Sequence, residues 1–170
     1  APITAPMETT VVGKEAAMVR MGWRAERNNS LQADTLNLIS EVLANGTAGM
    51  FDLDLNSKLK VQGAYAFYNG LSEYGSFELI GVPNQGQSLK EVRSIMLAEI
   101  DKLKKGEFSD ELLSSIINNM KRDLYKSLDK NDVRGDMFVD AFINNIPWEQ
   151  KVGTIDRLSK ITKTDVVAFA

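Results

Sequence analysis

The sequence lacks both cysteine and histidine. Without cysteine the chain has no disulfide, no thiolate nucleophile and no sulfur ligand for a metal, and it suits an oxidising or a reducing compartment equally well. Histidine is the commonest general base and metal ligand, so its absence excludes most familiar catalytic sites. No pair of acidic residues stands out as an acid/base couple that could act instead. The sequence therefore predicts no catalytic and no metal-binding residue in this chain.

An excess of one charge and long apolar runs are also missing. The 20 basic and 23 acidic residues leave a net charge of −3 and are interspersed, which does not favour nucleic acid or an anionic membrane as a partner. No run of about 20 apolar residues predicts a membrane span. Residues 1–10 are interpreted as an extended lead-in, without the features of a signal peptide. The composition is compatible with the bacterial periplasm and with the cytoplasm.

The strongest pattern that is present predicts two consecutive amphipathic helices over residues 88–128. Ser88 and Glu91 have capping-box spacing at the start of the first helix. Gly106 can adopt the left-handed conformation that ends it, and Ser109 caps the second helix. The two one-sided apolar stripes consist of Val92, Met96, Ile100 and Leu103, and of Leu113, Ile117, Met120, Leu124 and Leu128. Each helix therefore needs an apolar surface to lie on.

The chain before residue 88 predicts a sheet that supplies this surface. Alternating apolar and polar residues predict a strand over Val11–Arg24. Lys58–Leu71 and Gly75–Val82 are rich in β-branched and aromatic residues and are joined by turn residues, so they form an antiparallel pair. Gln32–Ala44 has helical periodicity, and Thr47–Leu55 is interpreted as a short helix.

The end of the chain is predicted to be helical. The pattern indicates a helix over Asp132–Asn144, a further helix with Pro147 in its first position, and a final capping box formed by Thr162 and Asp165. Phe142 and Trp148 are assigned to the core. Strands followed by a helical tail predict one α+β domain over residues 1–170, with an antiparallel sheet and helices packed on one face.

Two short motifs resemble ligand-binding loops without completing them. Gly81–Ser88 follows a strand and opens a helix like a P-loop, but Gln87 replaces the lysine and Pro83 removes an N–H group. Asp52, Asp54 and Asn56 have the opening spacing of a calcium loop without its glycine or final glutamate. Both are interpreted as structural, with Leu53 and Leu55 on the buried side of a short element.

Two further sets of residues have a functional and a structural interpretation. Asn28-Asn29-Ser30 and Asn45-Gly46-Thr47 match glycosylation sequons, but such runs are more often plain turns. The aromatic residues on or beside the strand pair could stack bases. No basic residues alternate with them, so they are assigned to the core and the sheet surface. They are Tyr65, Phe67, Tyr68, Tyr74 and Phe77.

Several stretches together resemble a non-catalytic domain of the M16 (pitrilysin/insulinase) zinc peptidases, with the fold of the mitochondrial processing peptidase. The most specific phrase is KKGEFSDELL at residues 104–113. The order and spacing of the predicted elements also match. The resemblance covers nearly the whole chain, in residues 9–26, 32–55, 60–68, 75–124 and 138–170.

The resemblance implies a role in a larger protein. Proteases of this family are clamshells of homologous α+β domains, and one domain carries the His-x-x-Glu-His motif that binds zinc. No ligand can be transferred to this histidine-free chain, so it is expected to need no cofactor, with zinc in a catalytic domain of the same chain or of a partner subunit. The chain is then an inactive domain, the second in a longer protein, that forms part of the chamber in which the parent hydrolyses peptides.

One residue has a possible substrate contact by the same resemblance. The family has an Arg…Tyr pair in an R-E-K-x-G-L-A-Y phrase, whose end matches Ala64-Tyr65, while Lys58 stands at the arginine position and Gly63 is displaced by one. Tyr65 is therefore a substrate-binding candidate, with a plain strand tyrosine as the alternative.

Two other functions of the whole chain stay open. The chain could be a non-enzymatic assembly subunit of the same fold, or a small-ligand domain that uses the Gly81–Ser88 turn.

Overall fold

The computed structural model describes residues 3–28 and 30–170. These residues form three strands and seven α-helices, and their order along the chain is the one predicted for an α+β protein. The strands are β1 (Val19–Ala25), β2 (Gly63–Gly70) and β3 (Gly75–Val82). The helices are α1 (Leu31–Leu43), α2 (Leu89–Lys104), α3 (Asp110–Leu128), α4 (Asn131–Ile143), α5 (Trp148–Val152), α6 (Thr154–Leu158) and α7 (Lys163–Phe169). A short π-helix, Asp52–Asn56, lies between α1 and β2.

The sheet is antiparallel in the order β1-β3-β2, so the strand that comes last in the chain lies in the middle. Trp23 and Tyr68 both pair with Phe77, and Met21 and Ala66 both pair with Leu79. Because side chains alternate along each strand, this register places all six on one face of the sheet. That face lies under α1 and α2, which confirms the predicted helices on one side of an antiparallel sheet.

Close packing of α2 on the sheet depends on Gly81 in β3. A Cβ atom at this position would lie 2.4 Å from Met96 Sδ and 2.5 Å from Val92 Cγ1. Both side chains are fully buried and belong to the predicted stripe of α2. The absence of a side chain on the middle strand therefore lets the helix approach the sheet backbone.

The two central helices begin and end at the predicted residues. Ser88 Oγ accepts the Glu91 N–H at 3.2 Å, and Ser109 Oγ accepts the Leu112 N–H at 3.1 Å. Gly106 between them has a φ of +71°, which only glycine adopts without strain. The buried side of α3 is turned slightly from the prediction, because Ile116 is buried whereas Ile117 is only half-buried. The capping box of Thr162 and Asp165 is also present, at the start of α7.

Two predicted strands were too long, for one shared reason. β1 begins at Val19 and not at Val11, and β2 begins at Gly63 and not at Lys58. These two ends lie opposite the end of β3, since Val19 pairs with Gly81 and Gly63 pairs with Val82. β3 ends there, because Pro83 has no N–H group and the next N–H, that of Asn84, donates to Gln87 Oε1.

The predicted helix over Thr47–Leu55 begins later than expected. Asn45 Oδ1 accepts the N–H groups of Thr47 and Ala48 at 3.0 and 2.9 Å and holds them in a turn. The prediction that Leu53 and Leu55 share a buried side is wrong for Leu53. The π-helix turns Leu53 outward, while Leu55 is buried.

The assignment of Phe142 and Trp148 to the core is wrong in this structure. Phe142 is 87% exposed on α4 and Trp148 is 39% exposed. The buried side of α4 is formed at Ala141, and Phe142 projects from another side of the helix. Pro147 immediately precedes α5 and does not occupy its first position.

Candidate functional site

The face of the sheet that points away from the helices is the main candidate for a functional surface. Register and alternation place on it Arg20, Gly22 and Arg24 of β1, Tyr65, Phe67 and Asn69 of β2, and Ser76, Glu78, Ile80 and Val82 of β3. Every one of these residues is exposed or half-buried. None of the elements in the described part of the chain seals this outer face.

Tyr65 lies on the apolar side of the outer face. It pairs with Ile80 across the ladder, and its side chain is 52% exposed. Its ring lies across Gly63, where a Cβ atom would come within 2.6 Å of the tyrosine hydroxyl. Phe67 follows on the same face two residues later. The strand therefore presents a half-exposed aromatic ring to solvent, with its position fixed by the adjacent glycine.

The β1 side of the outer face carries an internally paired charge. The carboxylate of Glu78 accepts Arg20 Nε at 2.9 Å and the Ser76 hydroxyl at 2.7 Å. This arrangement leaves one apolar half, around Tyr65, and one polar half, around Glu78. The Glu78 carboxylate is shared between Arg20 and Ser76, and the face as a whole has the properties of a contact surface.

Lys58, which stands at the arginine position of the family phrase, does not lie on this face. It follows the π-helix, and its Nζ pairs with Asp54 at 2.6 Å. The structure therefore places Tyr65 on the outer face of the sheet and Lys58 in the preceding turn. A two-residue site of the kind that the resemblance suggests is not assembled by these two side chains.

The residues whose spacing resembles a calcium loop make hydrogen bonds to backbone groups. Asp52 Oδ2 accepts the N–H groups of Asn45 and Gly49 at 2.9 and 3.1 Å. Asn56 bonds both the N–H and the carbonyl of Ala64, at 2.8 and 3.1 Å, and so joins the π-helix to β2. These two side chains therefore serve the connection between α1 and the sheet.

Asp54, the middle residue of that motif, is held by two lysines. Its oxygens accept Lys58 Nζ at 2.6 Å and Lys102 Nζ at 2.9 Å. The hydrogen bond from Lys58, followed by that from Lys102, lowers the pKa of Asp54 to about 2. Burial and the nearby Asp52 shift the pKa of Glu41 the other way, above its ordinary value.

The loop that resembles a P-loop is also occupied by structural contacts. Gln87 Oε1 accepts the Asn84 N–H at 3.0 Å, and its Nε2 donates to the Lys60 carbonyl at 2.9 Å. Asn84 Nδ2 donates to the Leu59 carbonyl at 2.8 Å. The side chains that could have met a phosphate therefore tie this turn to the chain that precedes β2.

The sequons are equally explained by local structure. The Asn45 amide donates to the Glu41 carbonyl at 3.0 Å, so it completes the end of α1. The Asn28 N–H donates to the Leu71 carbonyl at 2.9 Å, next to the turn between β2 and β3. Asn29, the middle residue of the other sequon, lies outside the described residues.

The donor set of this chain does not fit the zinc that the family resemblance implies. Tight zinc sites use imidazole or thiolate ligands, and the chain has no histidine or cysteine. Within residues 3–28 and 30–170, no three acidic side chains come together in a metal-binding group. Any zinc of a parent protein would therefore need ligands from outside this chain.

One open groove lies at the end of the sheet opposite the Gly81–Ser88 turn. It has a volume of about 940 Å³, and its lining includes Trp23, Phe77, Ile100 and Phe169. Separately, none of the described helices combines the length and hydropathy that a membrane span requires. The groove offers apolar surface, but no pair of groups in it indicates a reaction.

The comparisons with known proteins agree with the fold. The family profile of the peptidase M16 inactive domain matches residues 3–120. The chain belongs to this family. No curated protein sequence is similar enough to count as a match.

Three solved structures of different length are similar to this chain in fold. A protease from Helicobacter pylori has a TM-score of 0.83 at 20% identity, covering 89% of this chain and 37% of its own. An inactive peptidase domain from Bordetella parapertussis has a TM-score of 0.74 at 16% identity, covering 94% of this chain and 88% of its own. A chain of complex III₂ from Candida albicans has a TM-score of 0.72 at 12% identity, covering 89% of this chain and 38% of its own. At these identities the likeness concerns the fold alone.

Sequence reasoning identified Tyr65 but missed the surface to which it belongs. Alternation in β2 and β3 shows that each strand has two faces, and it does not show which face other elements cover. The signal that could have helped is the pair of arginines, Arg20 and Arg24, on the side of β1 away from Met21 and Trp23. Charged residues at alternate positions favour a solvent-facing side of a sheet.

Proposed function

We propose that this chain is one domain of a longer M16-type zinc metallopeptidase. In this proposal it is a non-catalytic, structural domain that forms part of the wall of the chamber in which a separate catalytic domain hydrolyses peptides. Zinc-activated water belongs to that other domain, whether it is in the same polypeptide or in a partner subunit. The family match and the absence of imidazole and thiolate ligands support this division of roles.

The observation that carries the proposal is the uncovered outer face of the sheet. One solvated face is common in an antiparallel sheet, and here that face presents the half-exposed ring of Tyr65. The face has apolar and polar halves, which suits contact with peptides of varied sequence. In this proposal Tyr65 contacts the peptide substrate of the parent protein.

The experiment is kinetic and uses the parent protein. Tyr65→Ala is expected to raise KM for an unfolded peptide roughly 3- to 10-fold and to change kcat less than about twofold, because the ring would contribute binding and no chemistry. Val12→Ala, which alters an exposed apolar residue ahead of β1, is the control. An unchanged KM would remove Tyr65 from the substrate contact and leave the wall role to be tested separately.

A second candidate function is a non-enzymatic assembly subunit of the same fold. The similarity to a chain of complex III₂ favours it, since that structure is a respiratory assembly. Metal analysis of the purified parent protein separates the two candidates. About one zinc per parent chain, with chelator-sensitive peptide cleavage, supports the peptidase, and a metal-free parent without cleavage supports the assembly subunit.

A further inference from the structure

The least expected surface of the molecule is an exposed apolar area on α4 and α5. It comprises Phe138, Val139, Phe142, Ile143, Trp148 and Val152, which we call the α4–α5 patch. All six side chains are exposed, and Phe142 is among the most exposed apolar side chains in the described part of the chain. Isolated exposed apolar residues are ordinary in soluble proteins, but a continuous group of this size marks a contact surface.

The patch is continuous. Phe138 and Phe142 are four residues apart on α4, as are Val139 and Ile143, so each pair shares a side of the helix. The rings of Phe138 and Trp148 are stacked with centroids 4.2 Å apart, which joins α4 to α5. Val152 lies one turn beyond Trp148 on α5.

The exposed side of α4 has the apolar composition of a buried surface. Residues 137–143 read MFVDAFI, with six apolar residues out of seven. Ala141 is buried against the rest of the chain, while Phe138 and Phe142 face away from it. The C-terminal half of α4 therefore carries apolar side chains on more than one side, and such side chains are normally enclosed. In this chain, α4 contacts mainly α3 and α5.

The polar group within the patch is already satisfied. Asp140, the only polar residue of that seven-residue run, accepts Asn144 Nδ2 at 2.8 Å and pairs with Lys151. No charge of the run is therefore left for an occupant to neutralise. The occupant needs an apolar, shape-complementary surface, which is the chemistry of a stable domain interface and unlike that of an anionic lipid or nucleic acid.

The lengths of the solved relatives point to one occupant. The shared fold makes up only 37% of the Helicobacter pylori protease chain and 38% of the complex III₂ chain, so both contain more than another domain's length of additional polypeptide. We propose that the α4–α5 patch is the docking surface for a second domain of the parent polypeptide. This inference rests on the proposed function, and it identifies the surface through which the non-catalytic domain holds its catalytic partner. The patch belongs to the helical layer, so docking there leaves the outer face of the sheet available to substrate.

The test measures binding between this chain and the separately expressed remainder of the parent protein. The chain has a core of its own, made of buried residues from α1, α2, α3 and the sheet. It can therefore be expressed and measured as a separate domain. The variant is Phe142→Lys combined with Ile143→Lys, since cations are favourable at the end of α4, and the control is Leu89→Asp, an exposed leucine at the first position of α2. An acid is favourable at a helix N-terminus, so the control should fold normally.

The expected result is a loss of affinity of about 100-fold or more for the double variant, and a change of less than about threefold for the control. Circular dichroism and the melting temperature of the isolated chain should be unchanged by both, because the substituted side chains are exposed.

Other outcomes overturn the inference in distinguishable ways. Equal affinity of the wild-type chain and the double variant would mean that the domains pair through another surface, so the inference fails while the proposed function stands. A wild-type chain that does not bind the remainder at all would overturn the proposed pairing itself. A dimer of the isolated chain in sedimentation experiments, abolished by the double variant, would show that a second copy is the occupant and would also overturn the inference.

Discussion

At the scale of single residues, Lys102 of α2 forms ion pairs with one acid on its own helix and with one on the π-helix. Its Nζ lies 2.9 Å from both Glu99 Oε1 and Asp54 Oδ2. Glu99 is only 3% exposed, and its second oxygen, Oε2, has no hydrogen-bond partner among the described residues. A buried carboxylate with one open acceptor is costly, so the lysine is the interaction that makes this position tolerable.

The lysine pairing makes stability depend on pH in a defined direction. The pKa of Asp54 is lowered to about 2 in the folded chain, against an ordinary value of 3.8. Its contribution to stability is therefore complete above the ordinary value and is lost as the pH falls from about 4 towards 2. Asp54→Asn removes this contribution, so we expect the gap in denaturant midpoint between wild type and variant to shrink over that range.

Guanidinium unfolding curves at pH 6 and at pH 2.5 provide the measurement for Asp54. Asp136→Asn, at an exposed position on α4, is the control. A gap between wild type and Asp54→Asn that stays constant with pH would contradict the assignment of Asp54 as the anion held by the two lysines.

At the scale of elements, the contact of α2 with the sheet depends on a glycine facing a helix. Gly81→Ala would force Met96 and Val92 to move, and we expect it to cost about 1–3 kcal/mol of unfolding free energy through overpacking. Gly22→Ala is the matched control on the opposite face of the same sheet, where the nearest heavy atom to a new Cβ is Glu78 Cγ at 3.9 Å. We expect Gly22→Ala to change stability by less than about 0.5 kcal/mol. Equal effects of the two substitutions in urea unfolding would contradict the one-sided packing of helices on the sheet.

The rotation of α3 about its axis can be tested with two adjacent isoleucines. Ile116 is 4% exposed, whereas Ile117 is half-buried at the edge of the core. Ile116→Ala should cost about 2–5 kcal/mol, and Ile117→Ala should cost less, about 1–2 kcal/mol. Chemical unfolding of both variants provides the comparison. A larger loss at Ile117 would restore the stripe that the sequence pattern predicted and would show that α3 is rotated from its position here.

Local signals predicted the middle of the fold well, because they act within one element. The limits of β3 and the caps of α2 and α3 follow from neighbouring turn and capping residues, and the structure confirms them. The ends of β1 and β2 could not be predicted in this way. They are set by the end of β3 at Val82, which is distant in sequence from Val19.

The candidate site was harder to predict than the fold. Tyr65 was identified through a phrase of sequence, but its exposure depends on Gly63 beneath its ring and on the absence of a covering layer. Phe142 shows the opposite case, because its apolar side chain predicts burial while the chain alone leaves it exposed. Both residues lie on surfaces whose role depends on a partner, and periodicity within one chain does not specify that partner.

At the scale of the whole molecule, the described residues combine one hydrophobic core with two uncovered surfaces. The buried residues of α1, α2, α3 and the sheet form one cluster. The outer face of the sheet and the α4–α5 patch lie outside that cluster and have different chemistry. In the proposed function, a domain of this kind contributes shape and contacts to a larger protein, and the chain belongs to the M16 inactive-domain family.

The most direct measurement is peptide hydrolysis by the parent protein with and without residues 1–170. A quenched fluorescent peptide is the substrate, and zinc is measured in each protein. Our account predicts that the deletion abolishes hydrolysis while the remainder keeps its zinc, and that the isolated chain neither binds stoichiometric zinc nor cleaves the peptide. Adding the isolated chain back to the remainder should restore activity. Full activity in the deletion, or chelator-sensitive cleavage by the isolated chain, would contradict the account.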